Sequence, residues 1–202
     1  MGGAMTAGLG HNQGPTFDPG QSWRAHCWAR ARSDLLPRLP IEVVRLRVKR
    51  AKEIGLDYKT YASVRATTGH DIVAFLFSTN ALRLLRDSDR MIEADARKLA
   101  DTQKLGKLLA VQPPLECARV ARQLAGQDVL IDATMAAPGL NKSWRETRKV
   151  LVDFLQDTCH SPDRVLLIGD TPIEREWVGA ARLAGFVSAA TYFPGDMSTQ
   201  RL

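Results

Sequence analysis

The sequence predicts an α/β fold over residues 71–194, with a parallel sheet covered on both faces. Two observations carry this. After Asp71, short apolar runs alternate with amphipathic stretches of helical spacing, and one of those runs leads straight into a glycine and a carboxylate. Parallel strands need long crossovers, and helical crossovers bury both faces of the sheet they pack on, so this alternation reads as a Rossmann-like, three-layer arrangement.

The strands are expected at 72–77, 108–111, 129–131, 165–168 and 186–190, each a short run rich in Val, Ile, Leu, Phe or Ala. The helices between them are expected near 81–102, 115–124, 143–156 and 173–184. In the third helix Thr147, Val150, Leu151, Phe154 and Leu155 recur on one face, the spacing that seats a helix on a sheet. Right-handed crossovers then gather the loops that follow the strands at one edge, where ligands of such sheets bind.

Ahead of this domain the character of the chain changes twice. Residues 1–22 are rich in Gly, hold Pro15 and Pro19 and lack hydrophobic periodicity. They are expected to be a disordered tail, or to carry a short recognition peptide over 9–15, and residues 195–202 form a C-terminal tail. Residues 23–70 form a basic helical region. Pro40 suits a first helical turn, Ile41, Val44, Val48 and Ala51 follow at helical spacing, and Gly55 suits a helix end. Trp23 and Trp28 would anchor this arm on the domain.

The basic region has two readings. In the first, Ala51 is the small residue where two helices cross, Gly55 makes the turn, and Leu56, Tyr61 and Val64 fix a second helix, as in a helix-turn-helix. Tyr58, Lys59, Thr60, Ser63 and Arg65 would then face a nucleic-acid groove, with Lys49, Arg50 and Lys52 near phosphates. In the second, this is an ordinary helical hairpin with a solvated, charge-rich face.

Bulk properties bound the remaining classes. The 202 residues carry a net charge of +6, which favours an anionic partner. The 45% apolar and 25% charged composition suits a globular domain. No run reaches the roughly 18 to 20 apolar residues of a membrane span and the start lacks a signal-peptide pattern, so a cytoplasmic protein without membrane contact is expected. Cys27, Cys117 and Cys159 show no Cys-x-x-Cys spacing, which points away from a disulfide framework or a zinc site.

Chemistry is expected just after the strands, at Ser78-Thr79-Asn80, Gln112-Pro113-Pro114, Asp132-Ala133-Thr134 and Gly169-Asp170-Thr171. Asp170 at a strand end, with Glu174 and Glu176 on the next turn, is placed to hold Mg²⁺, a hard cation that bridges carboxylates and phosphate. The plainer alternative makes Asp170 a cap for the helix starting near Pro172.

Through Gly169, Asp170, Thr171, Gly179, Ala180, Ala184 and Gly185 this segment resembles the fourth motif of the haloacid dehalogenase-like (HAD-like) superfamily. The resemblance spans about residues 71–194. It implies a Mg²⁺-dependent phosphohydrolase fold, with Asp170 and either Glu174 or Glu176 as metal-holding acids and Lys142 as the phosphate-binding lysine. Ser78 and Asn80 then stand where the family carries its nucleophilic Asp and its acid/base Asp, and Gln112 stands for the Ser or Thr of its second motif. A chain without those carboxylates is expected to bind a phosphorylated small molecule or a protein partner through Asp170, Thr171, Gln112 and Lys142 without hydrolysing it. A DNA-binding protein with an α/β assembly or sensing domain, and a working phosphohydrolase with an unusual nucleophile, are the alternatives.

Overall fold

The computed structural model describes residues 39–194. The expected tails 1–22 and 195–202, together with Trp23, Cys27 and Trp28, lie outside the described residues. Two helices come first, α1 (Ile41–Glu53) and α2 (Tyr58–Thr68). They are followed by β1 (Ala74–Ser78), α3 (Glu93–Asp101), β2 (Gly106–Val111), α4 (Cys117–Ala125) and β3 (Ala133–Ala136). The chain continues through α5 (Trp144–Asp157), a 3-10 turn (Pro162–Arg164), β4 (Val165–Gly169), α6 (Pro172–Ala181), β5 (Gly185–Ser188) and α7 (Ala189–Tyr192).

All four strand pairings are parallel, in the order β3-β2-β1-β4-β5. The fold is thus α/β and Rossmann-like, with β1 in the middle and β4 beside it. The pleat divides the core in two, because successive side chains on a strand point to opposite faces. Phe75, Phe77, Leu109 and Ile168 pack on one face with Ile54 and Tyr61 of the hairpin region, Leu99 of α3 and Leu124 of α4. Leu76, Leu108 and Leu167 pack on the other with Leu151 and Leu155 of α5 and Trp177 of α6.

The α1–α2 hairpin is therefore one layer of the domain, and no boundary falls at residue 71. Gly55 makes its turn with φ +70°, a left-handed conformation that glycine adopts without a Cβ clash. A polar knot fastens the hairpin from the side. Arg50 donates to Asp71 Oδ2 at 3.2 Å and to the carbonyls of Ile72 and Lys104 at 2.9 and 3.1 Å. Tyr61 Oη donates to Asp71 Oδ1 at 2.7 Å, and Arg65 Nη1 lies 3.5 Å from that oxygen. Burial first, and then the bond to Asp71, push the Tyr61 phenol up from its ordinary range.

Arg50 is only 18% exposed, so truncating it strands a carboxylate and two carbonyls that water reaches poorly. Arg50→Met is expected to lower stability by about 2 kcal/mol in urea unfolding, the scale of hydrogen bonds to a charged group. Lys49→Met, at the exposed neighbouring position, is expected to stay within about 0.5 kcal/mol.

Three elements differ from the sequence expectation. The helix expected over 81–102 is only α3. Before it, Arg83 takes φ +57° and the Asp89 carboxylate accepts from the backbone N–H groups of Leu85 and Arg86. Such side-chain bonds compete with helix formation. The strand expected at 129–131 lies at Ala133–Ala136 instead. Val129 closes the end of α4 by donating to Leu124, and Asp132 starts the ladder by exchanging bonds with the backbone of Lys107. Asp132-Ala133-Thr134 is consequently the entry to β3, and the loop that leaves β3 is 137–143. The last expected strand ends at Ser188, whose hydroxyl caps α7 by accepting from Thr191 N–H.

Among the described residues no helix is long and apolar enough to cross a membrane.

Candidate functional site

Because β1 and β4 are neighbours, the loops that leave them meet at the carboxyl edge of the sheet. The meeting point is Glu174, in the first turn of α6 and completely buried. Glu174 Oε1 accepts from Asn80 Nδ2 at 2.9 Å and from Gln112 Nε2 at 3.4 Å. Its Oε2 accepts from the backbone N–H groups of Asp170 and Thr171 at 2.7 and 3.0 Å. Thr171 completes a capping box by accepting Glu174 N–H on its hydroxyl. One buried carboxylate thus joins the loops after β1, β2 and β4.

The loop after β1 is held by two buried hydroxyls. Ser78 Oγ accepts from Ala81 N–H at 3.0 Å, and Thr79 Oγ1 accepts from Gln112 N–H at 3.0 Å. Ser78 is fully buried, so it serves the turn and does not reach a ligand as a nucleophile would. Thr79, which sequence reasoning left without a role, sets the position of Gln112.

Asn80, Gln112, Asp170, Thr171 and Glu174 are therefore brought together. Lys142 and Glu176 are not. They line a neighbouring cavity of about 250 Å³ beside Trp144 and Trp177, and the Lys142 ammonium lies 3.6 Å from Glu146.

The carboxylates that the resemblance assigns to Mg²⁺ are not gathered in one place. Asp170 lines the outer cleft, and the Asn80 and Gln112 amides turn their N–H groups toward the Glu174 carboxyl. Both Glu174 oxygens are already engaged by N–H donors, and Glu176 stands apart. Among the described residues no three His, Cys, Asp or Glu side chains form a metal-holding group.

Outward of this network a cleft of about 660 Å³ is lined by Asn80, Arg83, Arg90, Asp170 and Thr171, with Leu85 and Ile92 at its sides. Arg83 and Arg90 are exposed, and neither lies within ion-pair distance of a carboxylate among the described residues. The Asp89 carboxylate at the rim is engaged by backbone N–H groups, Asp95 on α3 feels the charge of Arg83, and Asp170 is the carboxylate that lines the same cleft without a side-chain partner among the described residues. Arg83 and Arg90 were invisible to the sequence reading because they fell inside an expected helix.

Gly169 is where the backbone passes closest to this network. A Cβ there would stand 2.7 Å from Phe186 Cε2 and 3.0 Å from Glu174 Oε2. Gly169→Ala is expected to destabilise by about 2 kcal/mol in urea unfolding, as overpacking in a rigid interior does. At Gly179 the added Cβ would meet Trp144 Cη2 at 2.9 Å, on a half-exposed ring that can swing away. Gly179→Ala is expected to be neutral or slightly stabilising, helped by the better helix propensity of alanine.

Of the residues assigned to nucleic acid, Arg50 and Arg65 are held by Asp71 and belong to the hairpin clamp. Lys49 and Lys59 remain exposed, and Thr60 N–H donates to the helix cap Asp57. Hydrogen bonds from Thr60 and Lys59 hold the Asp57 carboxyl below its usual range.

Compared with protein families and with curated proteins, the chain matches none.

Proposed function

We propose that this chain is a phosphate-ligand-binding domain, similar to the HAD-like superfamily in design, that does not hydrolyse what it binds. The observation that carries this reading is the pairing of Asn80 and Gln112 amides with Glu174. All four donors to the Glu174 carboxyl are N–H groups, so it is occupied where a metal-dependent site would need it open. At positions 78 and 80, where the resemblance calls for a nucleophilic and an acid/base carboxylate, the chain carries Ser78 and Asn80, and neither can form an acyl phosphate and move protons in their place. The free guanidiniums of Arg83 and Arg90, in the cleft just outside, supply the fork geometry and charge that recognise a phosphoryl group.

Titration calorimetry with phenyl phosphate tests this. Binding is expected for the wild-type chain, with at least a tenfold loss in the double variant Arg83→Ala/Arg90→Ala. Asp170→Asn discriminates most sharply. Asp170 is an anionic wall of the cleft, so its neutralisation is expected to tighten binding of an anion by roughly threefold to tenfold, the effect of removing about 1 kcal/mol of repulsion near a protein surface. Weaker binding in Asp170→Asn would instead make it a metal ligand and overturn the proposal.

A further inference from the structure

The cationic cleft does not end at Asn80 and Thr171. Both residues also line a second cavity of about 330 Å³, whose other walls include Gln112, Pro113, Leu140, Ile173 and Trp177. Leu140, Ile173 and Trp177 in turn line the third cavity, which holds Trp144 and Lys142. The three spaces share walls and form one trough along the carboxyl edge of the sheet, with Arg83 and Arg90 at one end and, at the other, apolar walls that also carry Lys142 and Glu176.

Its walls are unusual for a monomer surface. Of the nine large apolar side chains exposed among the described residues, five line this trough: Leu85, Ile92, Leu140, Trp144 and Ile173. Leu140 is 82% exposed, Trp144 57% and Ile173 47%. Scattered singly such residues need no explanation, but gathered around one groove they mark a binding surface. The edge of the Trp144 ring sits against Gly179, where no side chain holds it off the helix, and so extends the wall.

We infer that the trough binds an extended phosphorylated peptide, with its phosphoryl group on Arg83 and Arg90 and an apolar side chain a few residues away against Leu140, Ile173 and Trp144. This rests on the phosphate-binding reading of the cationic cleft and names the ligand class for it. Two features favour a peptide over a small organic phosphate. A small-molecule site envelops most of its ligand within one cavity of a few hundred Å³, whereas this trough runs through three adjoining cavities and leaves Leu85, Leu140, Trp144 and Ile173 on its walls exposed. The charges also match: two guanidiniums without an ion pair among the described residues stand together at one end, whereas Lys142 at the other is paired with Glu146, so one phosphoryl group fixes the register and the apolar walls select the residues beside it.

Fluorescence anisotropy with a labelled nine-residue peptide tests this. The probe carries a central phosphoserine and leucines two to four residues to either side. Three comparisons accompany it: the unphosphorylated peptide, the phosphopeptide with every leucine replaced by serine, and phenyl phosphate as competitor. The leucine phosphopeptide is expected to bind at least tenfold more tightly than either peptide control. It is also expected to lose about tenfold in Leu140→Ser/Ile173→Ser, both sites being exposed and outside the core. Equal binding of the leucine and serine phosphopeptides, or no change in Leu140→Ser/Ile173→Ser, would overturn the peptide inference while phenyl phosphate binding kept the phosphate site intact. Failure of both phosphopeptides and phenyl phosphate to bind would instead overturn the phosphate-binding reading, and the peptide inference with it.

Discussion

Glu174→Ala is expected to destabilise the fold by about 4 kcal/mol, while Asp170→Asn, four residues away in the same motif, is expected to change stability by less than about 0.5 kcal/mol. Removing a buried charged partner leaves the groups around it desolvated and unpaired, and such losses run to several kcal/mol. At Glu174 four donors lose their acceptor together: the Asn80 and Gln112 amides and the backbone N–H groups of Asp170 and Thr171. The loops after β1 and β2 would no longer be tied to α6. Asp170 is exposed, and it enters the network through its backbone alone. Urea unfolding of both variants measures the contrast. Similar small effects at both positions would mean that Glu174 is not the structural tie its bonds describe.

Tyr192→Ala is expected to cost about 4 kcal/mol, and the phenol of Tyr192 to make the fold sensitive to alkali. Its ring packs edge-on against Phe75 and Phe193 at centroid distances of 5.4 and 4.7 Å and close to Phe77 at 5.9 Å. The Lys98 ammonium sits 4.2 Å above it and donates to the Tyr192 carbonyl. Deleting a buried aromatic ring of this kind removes both transfer free energy and packing. Burial pushes the phenol up to about 12 from 10.0. The unfolded chain therefore ionises first as pH rises. The stabilisation is fully present below about pH 10 and is lost as pH climbs through about 12, by a total of about 3 kcal/mol. Burial pulls the Lys98 amine down, which acts in the opposite direction. Comparing stability between pH 9 and pH 11.5 in the wild type and in Tyr192→Phe isolates the phenol, and the variant is expected to show the shallower decline.

What the sequence revealed of this architecture follows from how local each signal is. The run Val165–Gly169 is apolar throughout and feeds a Thr-x-x-Glu pattern, so both the strand and the start of α6 could be read from adjacent residues. The same four-residue pattern, Thr171 to Glu174, also carries the capping-box signature, which was the available clue that Glu174 serves the helix start and does not face a metal. β3 was placed four residues early because Val129, Leu130 and Ile131 are more apolar than Ala133–Ala136, while the position of the strand is set by exchange between Asp132 and Lys107, 25 residues apart. The hairpin clamp was hidden for the same reason. Arg50 and Asp71 are 21 residues apart, and nothing near either one announces the pair. In the candidate site, Asn80, Gln112, Asp170 and Thr171 were legible as strand-end residues. Arg83 and Arg90 were not, because the positive φ of Arg83 and the side-chain bonds of Asp89 turn that stretch into a loop where composition suggested a helix.

The most direct measurement is a ³¹P NMR spectrum of phenyl phosphate with the full chain and millimolar Mg²⁺, followed over a day. The expected result is a ligand resonance that shifts and broadens on binding, stays free of inorganic phosphate, and returns to its free position in Arg83→Ala/Arg90→Ala. Growth of an inorganic phosphate signal that requires Mg²⁺ and disappears in Asp170→Asn would contradict a binding domain without hydrolysis and make this chain a phosphohydrolase.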